Sequence, residues 1–312
     1  MGELRKDYIL DRWVIVSTGR AHRPKQFRAP PTTKEVKVCY FCPGNEELTP
    51  PEIGRVEENG EWIIRWFPNK FAAVEPKGTA DVKTDDTYFT FSANYGHHEV
   101  IVETPDHEKQ IADLPLEHLK KVFEVYNQRI EELGKKDNIK YVVLFKNYGQ
   151  KAGTSIVHTH TQIAAVNHVP KHVRDKIEAV KKFDHCPYCD IINIEKQSDR
   201  RCYENNSFVA FTPYASRFNY EIWVFPKQHI TKMSECNFDD LTEIMHNILN
   251  ALHDIGESYN FFIHYAPEGE DLHFHIEVCP RIATWAGFEL NSETIINSVS
   301  PEDAASFYRG EQ

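Results

Sequence analysis

The sequence predicts an α+β protein made of two similar halves, each a mostly antiparallel sheet with one main helix. In both halves a CxxC pair comes first, followed by a strand-like segment leading to a histidine, an amphipathic helix, a second strand and an HxH pair. A shared order across these features indicates duplication, because chance supplies single matches but not an ordered series. Strands and helices do not alternate regularly within a half, which disfavours a parallel βαβ sheet.

The apolar pattern of the first half predicts its elements in order. Residues 100–104 are typical of a strand, and so is the run Tyr141–Phe145. Between them a helix is predicted near Leu116–Leu133, where apolar residues recur at three- and four-residue spacing and would bury one face. Pro115, just before this helix, suits a first turn.

The second half repeats this series in a more compact form. It has a strand over residues 222–226, a helix near Phe238–Ile255 and a strand over residues 261–264. We therefore expect residues 1–172 to form one half and residues 173–312 to form the other.

Composition and charge exclude several classes of protein. The 41% hydrophobic and 27% charged residues are those of an ordinary globular protein, and 312 residues suit about two domains. No apolar run approaches the roughly 20 residues that span a bilayer, and the first residues lack a signal-peptide core, so we expect a cytoplasmic protein without a membrane partner. The net charge of −11 argues against a nucleic-acid partner, although small anionic substrates remain open.

Two CxxC pairs indicate metal sites rather than disulfides. Two thiolates on one turn need two further ligands to complete a zinc tetrahedron, and histidine nitrogen suits that metal. The two predicted sets are Cys39, Cys42, His107 and His158 in the first half, and Cys186, Cys189, His229 and His273 in the second. The alternative is a buried or redox thiol pair. For the second half, a rival set combines the neighbouring histidines, including His264 and His275, with a carboxylate such as Glu178.

The HxHxQ stretch carries the predicted chemistry. Side chains two apart on a strand share a face, so His158, His160 and Gln162 are expected to project together. The preceding loop contains Asn147 and Gly153, which suit a close approach of backbone to phosphate. Two imidazoles and a carboxamide beside such a loop indicate attack on phosphorus.

These residues together resemble the galactose-1-phosphate uridylyltransferase family of the histidine-triad superfamily, over nearly the whole chain. The motifs that carry the resemblance are the segment from Asp11 to Pro24, the pair Cys39/Cys42, Asn69-x-Phe71-Ala72, Pro105-Asp106-His107, Asn147-x-Gly149, Gly153-x-Ser155, His158-x-His160-x-Gln162, Pro226-Lys227-x-His229 and Gly287-Phe288-Glu289. The resemblance implies duplicated histidine-triad-like halves and, since family members are commonly homodimers, a dimer.

The resemblance implies ping-pong transfer of a nucleoside monophosphate through a nucleotidyl-histidine, with a nucleoside-diphosphate sugar and a sugar-1-phosphate or phosphate as reactants. His160 would be the nucleophile, and His158 beside it a zinc ligand. We expect the remaining contacts to divide by role. Gln162, Ser155, Asn147 and the backbone of Gly153 would meet the phosphoryl charge, with Arg20 and Arg23 as cationic clamps, Asn69 and Phe71 holding the nucleoside, and Phe288 and Glu289 contacting the sugar.

Gln162 favours a transferase over a hydrolase. Histidine-triad hydrolases generally have a third histidine at this position, whereas a carboxamide cannot titrate and so does not promote attack by water. The second half keeps His273 and His275 but has Glu277 in place of the glutamine. The loop before His273, residues 267–271, is acidic and would repel phosphate, so we expect the second half to be catalytically degenerate.

The match departs from the family in places that leave the acceptor open. HTH stands where the family usually has HPH, Thr154 stands where it has cysteine, and the C-terminal segment keeps only Phe288 and Glu289 of the hexose contacts. The leading prediction is UDP-glucose:hexose-1-phosphate uridylyltransferase. The C-terminal segment together with the second CxxC looks closer to the ADP-glucose phosphorylase branch, in which inorganic phosphate is the acceptor. A hydrolase and, from another class, a zinc-stabilised nucleotide-binding module without turnover are the remaining alternatives.

Overall fold

The computed structural model describes residues 2–19 and 38–311, and its main feature is a ten-stranded sheet. The strands are β1 (Glu3–Lys6), β2 (Trp13–Val16), β3 (Gly54–Glu58), β4 (Glu61–Pro68), β5 (Lys83–Asp85), β6 (Phe89–Phe91), β7 (Gly96–Val102), β8 (Tyr141–Tyr148), β9 (His160–Val166), β10 (Arg201–Glu204), β11 (Phe208–Phe211), β12 (Ile222–Pro226), β13 (Tyr259–His264), β14 (His275–Pro280) and β15 (Ile295–Asn297). The α-helices are α1 (Leu116–Gly134), α2 (Lys171–Val180), α3 (Pro187–Glu195), α4 (Phe238–Asp254), α5 (Gly287–Ser292) and α6 (Pro301–Tyr308).

The strand order of the large sheet is symmetric about its centre. Outward from the central pair, the first half contributes β8, β9, β7, β4 and β3, and the second contributes β13, β14, β12, β11 and β10. Neighbouring strands pair antiparallel. At the centre Asn260 lies opposite Asn147 and donates from Nδ2 to its Oδ1 at 2.8 Å. The predicted α+β class with two similar antiparallel units is confirmed.

Helices α1 and α4 cover one face of this sheet. Apolar side chains on one side of α1, among them Leu119, Val122 and Phe123, are fully buried, as their helical spacing predicts. They join residues of both halves in one core cluster, and each such side chain stabilises the fold by roughly 1.5–3 kcal/mol. The observed helix limits agree with the predicted ones to within a residue or two.

The opposite face is covered unequally in the two halves. In the second half, α2 and α3 pack over it, with Val173, Ile177 and Tyr188 buried against strand residues such as Phe225. In the first half the apolar cluster on that face is small and centres on Phe41. Among the described residues, no helix of the first half packs over this face of β9 as α2 and α3 do in the second.

The two N-terminal strands are joined to the second half through β15. β1 pairs with β2, and β2 pairs in parallel with β15. The predicted division between residues 172 and 173 lies inside α2, so it stays a prediction. Within the described residues, no helix combines the length and apolar character that crossing a bilayer requires.

Candidate active site

The structure brings the four side chains of the first predicted metal set together. Nδ1 of His158 lies 3.6 Å from Sγ of both Cys39 and Cys42, and Nδ1 of His107 lies 3.3 Å from Sγ of Cys42. Zinc bonds of about 2.3 Å to sulfur and 2.0–2.1 Å to nitrogen in a tetrahedron would place sulfur about 3.6 Å from nitrogen. Nε2 of His158 donates to the carbonyl of Thr104 at 2.7 Å, which leaves Nδ1 directed at the thiols. These residues could hold a metal ion.

The second predicted set is assembled in the same way. Cys186 and Cys189 lie 3.8 and 3.7 Å from Nδ1 of His273, and Cys189 lies 3.6 Å from Nδ1 of His229. Nε2 of His273 donates to the carbonyl of Pro226 at 3.0 Å, in the arrangement found for His158. This set could also hold a metal ion.

The rival set with Glu178 is not brought together. Glu178 is exposed on α2 and accepts a hydrogen bond from Lys181 at 3.2 Å. His264 instead stacks on His275, with 4.7 Å between the ring centroids, and its Nε2 lies 3.5 Å from Glu277. Its position beside Glu277 was missed because the pairing of β13 with β14 decides it.

His160 begins β9 and has one ring nitrogen fixed by the backbone. Nδ1 donates to the carbonyl of His158 at 2.9 Å, so the neutral ring carries its lone pair on Nε2. No described residue hydrogen bonds to that nitrogen. Burial lowers the pKa of His160 to about 4, which keeps the ring neutral. Phe41, brought in by the CxxC turn, packs its ring edge-on at 5.2 Å between centroids and was not singled out from the sequence.

Gln162 follows on the same face of β9, as predicted, whereas His158 precedes the strand. Oε1 of Gln162 accepts hydrogen bonds from Nδ2 of Asn69 at 3.2 Å and from Nε2 of His98 at 3.0 Å. Asn69 was expected to hold a nucleoside, and this contact gives it a further partner. His98 was missed by the sequence analysis, because only the pairing of β7 with β9 sets it beside Gln162.

The remaining residues predicted to contact phosphate lie near the end of β8 and in the loop between β8 and β9. Gly153 has a φ of +88°, in the left-handed region that favours glycine, and nothing lies within 4 Å of where a Cβ would stand. Its backbone is therefore approachable. Ser155 is exposed nearby. Asn147 accepts from Asn260 at Oδ1, and no described residue accepts from its amide nitrogen.

A buried ionic network lies behind β9, on the side of α1. Nζ of Lys146 donates to Oγ1 of Thr159 at 2.9 Å and to the carbonyl of His160 at 3.0 Å, and it pairs with Glu103. Burial alone would raise the pKa of Glu103, but the charge of Lys146 and hydrogen bonds hold it below its usual value. Thr159, the residue between the two histidines, is thus fixed through its side chain. The sequence analysis missed this network.

The other predicted residues are placed less closely or lie outside the described residues. Phe71 is 86% exposed, and its N–H donates to Oδ1 of Asn69 at 2.9 Å. Phe288 and Glu289 lie on α5, where Glu289 lines a cavity of about 840 Å³ together with residues of α2 and the N-terminal segment. No contact among the described residues joins them to β9. Arg20 and Arg23 lie outside the residues that the structure describes.

Comparisons with known proteins agree with this architecture. Residues 2–170 match the family model described as galactose-1-phosphate uridyl transferase, N-terminal domain. Residues 97–306 match a domain of unknown function, DUF4921. A galactose-1-phosphate uridylyltransferase of Thermotoga maritima is 30% identical, over 98% of this chain and 97% of its own. An ADP-glucose phosphorylase of Arabidopsis thaliana is 29% identical, over 98% of this chain and 92% of its own.

Solved structures give the same result for the fold. The crystal structure of an ADP-glucose phosphorylase from Arabidopsis thaliana with bound ADP-glucose superposes with a TM-score of 0.86 at 28% identity, covering 99% of both chains. A structure of a uridylyltransferase superposes with a TM-score of 0.77 at 26% identity, covering 99% of this chain and 98% of its own.

Proposed function

This chain belongs to the galactose-1-phosphate uridyl transferase family, as its motifs predicted, and we propose that it is a nucleotidyltransferase that uses His160 as its nucleophile. Its substrate would be a nucleoside-diphosphate hexose, most simply UDP-glucose with a hexose-1-phosphate as acceptor. The observation that carries the proposal is the geometry of His160. Its Nδ1 is tied to a carbonyl, so the lone pair is on Nε2, to which no described residue donates a hydrogen bond.

The first half-reaction needs little proton transfer. Nε2 of His160 attacks the α-phosphorus, the N–P bond forms, and the P–O bond to the β-phosphate breaks. Sugar-1-phosphate leaves as a stable anion. The proton of the ring stays on Nδ1, which continues to donate to the carbonyl of His158. Charge on the transferring phosphoryl oxygens would be met by the amide groups of Gln162 and Asn147, the hydroxyl of Ser155 and the backbone of Gly153.

The second half-reaction reverses this chemistry with a new acceptor. A phosphate oxygen of the acceptor attacks the phosphorus, the N–P bond breaks, and Nε2 recovers its lone pair. We further propose that Arg20 and Arg23 clamp phosphate, that Asn69 and Phe71 contact the nucleoside, and that Phe288 and Glu289 contact the sugar.

Zinc is the metal that the two Cys₂His₂ sets fit best. Their sulfur-to-nitrogen separations of 3.3–3.8 Å agree with a tetrahedral ion of that size. Zinc would be structural, because each set offers four protein ligands and leaves no open position. At the first set it would hold His158, and with it the carbonyl that fixes His160. We further propose that the protein is a cytoplasmic homodimer.

A specific observation favours a second candidate with the same first half-reaction. The phosphorylase structure with bound ADP-glucose superposes better than the uridylyltransferase structure, with TM-scores of 0.86 and 0.77. Under this alternative, ADP-glucose would be the donor and inorganic phosphate the acceptor. A hydrolase would need water to compete for the intermediate, and the non-titrating Gln162 disfavours it.

The deciding experiment follows label from the nucleotide to the protein. The protein would be incubated with UDP-glucose or ADP-glucose carrying ³²P at the α-phosphate and quenched in alkali, in which a phosphohistidine survives. Label from UDP-glucose that galactose-1-phosphate discharges would support the uridylyltransferase. Label confined to ADP-glucose and discharged by phosphate would support the phosphorylase. Absence of label from both would contradict a nucleotidyl-histidine on these substrates.

A further inference from the structure

Two side chains outside the HxHxQ stretch, one buried and one half-buried, converge on one atom of Gln162. His98 on β7 is 8% exposed and approaches Oε1 of Gln162 with its Nε2 at 3.0 Å. Asn69, just after β4, approaches the same oxygen with its Nδ2 at 3.2 Å. A carboxamide oxygen has two lone pairs, so these two contacts can occupy both.

The tautomer of His98 follows from its second nitrogen. The backbone N–H of Ala73 donates to Nδ1 of His98 at 3.0 Å, so Nδ1 must carry the lone pair. A neutral imidazole then has its proton on Nε2. Nε2 of His98 therefore donates to Oε1 of Gln162, and it does not accept from Nδ2 of Asn69, which lies 3.3 Å away. Burial lowers the pKa of His98, which favours this neutral form.

Asn69 is fixed by the same kind of anchor. The backbone N–H of Phe71 donates to Oδ1 of Asn69 at 2.9 Å, so the amide cannot turn over without losing that bond. Its nitrogen is consequently the atom that faces Gln162. Two chains of hydrogen bonds thus begin at backbone N–H groups of the segment after β4 and end at the same oxygen.

The convergence leaves the other end of Gln162 as a pair of donors. No described residue accepts a hydrogen bond from its Nε2, and the side chain is only partly buried on the face that carries His160. A carboxamide that could turn over would present an oxygen to a phosphate in part of the population, and oxygen facing oxygen repels.

We propose that His98 and Asn69 are positioning residues that lock Gln162 with its amide nitrogen directed at the transferring phosphoryl group. The inference rests on the proposed function, since it assigns Gln162 a phosphoryl oxygen as its acceptor. It accounts for a buried histidine in a strand that would otherwise carry an apolar side chain. The preorganised donor then needs no rotation during the reaction.

The tautomer can be tested without any substrate. ¹⁵N-histidine NMR at neutral pH, with the His98 resonances assigned from the spectrum of His98→Gln, should show an unprotonated Nδ1 and a protonated Nε2. A proton on Nδ1, or a doubly protonated ring, would overturn the inference whatever the activity of the protein.

A double-mutant cycle tests whether His98 acts through Gln162. The rate of single-turnover labelling by whichever nucleotide sugar labels the wild type should fall about 10²–10³-fold in Gln162→Ala and about tenfold or more in His98→Phe, while the apparent affinity for the nucleotide changes little. In the Gln162→Ala background, His98→Phe should cost no more than about a further twofold. Fully multiplicative losses would overturn the inference, because they would mean that His98 acts independently of Gln162.

Two further variants separate positioning from folding. His98→Gln keeps a donor near the Nε2 position and should restore most of the rate. His97→Phe changes the neighbouring histidine, which points to the other face of β7, and should leave the rate near that of the wild type. If His97→Phe matched the loss in His98→Phe, the effect would be structural and the inference would fail. If the wild type takes no label at all, the proposed function fails and with it the phosphoryl acceptor of Gln162, whereas the NMR result still decides whether His98 locks Gln162.

Discussion

The two halves of this chain hold equivalent histidines, His160 and His275, whose Nε2 atoms have different surroundings. Nδ1 of His160 donates to the carbonyl two residues earlier at 2.9 Å, and Nδ1 of His275 does the same at 2.8 Å. The aromatic residue of each CxxC turn contacts the ring, Phe41 at 5.2 Å and Tyr188 at 5.3 Å between centroids. Duplication has therefore preserved the backbone and the tautomer on both sides.

The difference lies at Nε2. Lys176 on α2 points its ammonium at Nε2 of His275 from 2.6 Å and pairs with Glu277, which also pairs with Arg217. Lys176 and Glu277 are almost fully buried. No described residue contacts Nε2 of His160 in this way. Under the proposed mechanism, the helix over this face and the carboxylate in place of glutamine would leave only the His160 copy able to react.

The largest expected effect separates the two histidines. Replacing His160 by glycine should abolish labelling and turnover, because the nucleophile is removed, while metal content and the far-UV CD spectrum stay near those of the wild type. The matched change His275→Asn should cost less than about tenfold in turnover, since that ring does not reach substrate in the proposed mechanism. Equal losses in the two variants, measured by steady-state turnover, would show that both halves are catalytic.

The next effect concerns the two metal sets. Cys39→Ser should lose one equivalent of zinc and lower the melting temperature, because structural zinc contributes directly to folding. It should also slow labelling, since His158 supplies the carbonyl that fixes His160. Cys186→Ser should lose the other equivalent and retain labelling at temperatures where it stays folded. Metal analysis by mass spectrometry checks both, and an unchanged zinc content in Cys39→Ser would refute the assignment of the first set.

The buried pair behind β9 gives a smaller effect with a defined pH dependence. Lys146→Met removes the partner of buried Glu103 and should destabilise the fold by about 3–5 kcal/mol at neutral pH. In the wild type the pKa of Glu103 is lowered, so its contribution is present above the unfolded pKa and is lost as pH falls through the folded one. In the variant, burial without a partner raises that pKa, so acid neutralises the carboxylate.

The gap in unfolding free energy between wild type and Lys146→Met should therefore shrink as pH falls from 7 towards 4. Urea titrations at several pH values measure it. Glu103→Leu combined with Lys146→Met should be less destabilised than Lys146→Met alone, because no unpaired charge remains. A gap that is independent of pH would mean that Lys146 matters for packing rather than for charge.

The sequence predicted those parts of the molecule whose determinants are local or repeated. Both Cys₂His₂ sets could be chosen because a CxxC turn needs two more ligands and the repeat indicates the same positions twice. His98, by contrast, is only one of two adjacent histidines until the pairing of β7 with β9 sets it beside Gln162. That pairing joins segments more than sixty residues apart, and nothing local specifies it.

Buried charge escaped prediction for a related reason. Lys146 stands in a run of apolar strand residues, and only the distant Glu103 makes its burial acceptable. Phe288 and Glu289 were expected to contact the sugar on the strength of resemblance, and they lie on α5, where Glu289 lines the cavity beside α2. Resemblance identifies a residue with a role, but it does not say which surface the chain presents it on.

The smallest expected effect tests whether the buried pair Lys176–Glu277 is what prevents His275 from reacting. Lys176→Met with Glu277→Gln removes the ammonium and the carboxylate together, so no unpaired charge is left at that position, and Arg217 keeps Glu221. We expect labelling to remain at one nucleotide per chain, because the ring of His275 is still enclosed between Phe225 and His264, each with 4.7 Å between centroids. Quantitative labelling with peptide mapping measures this. A rise towards two labels per chain, with the second on His275, would mean that the pair Lys176–Glu277, and not the cover supplied by α2 and α3, separates the two halves.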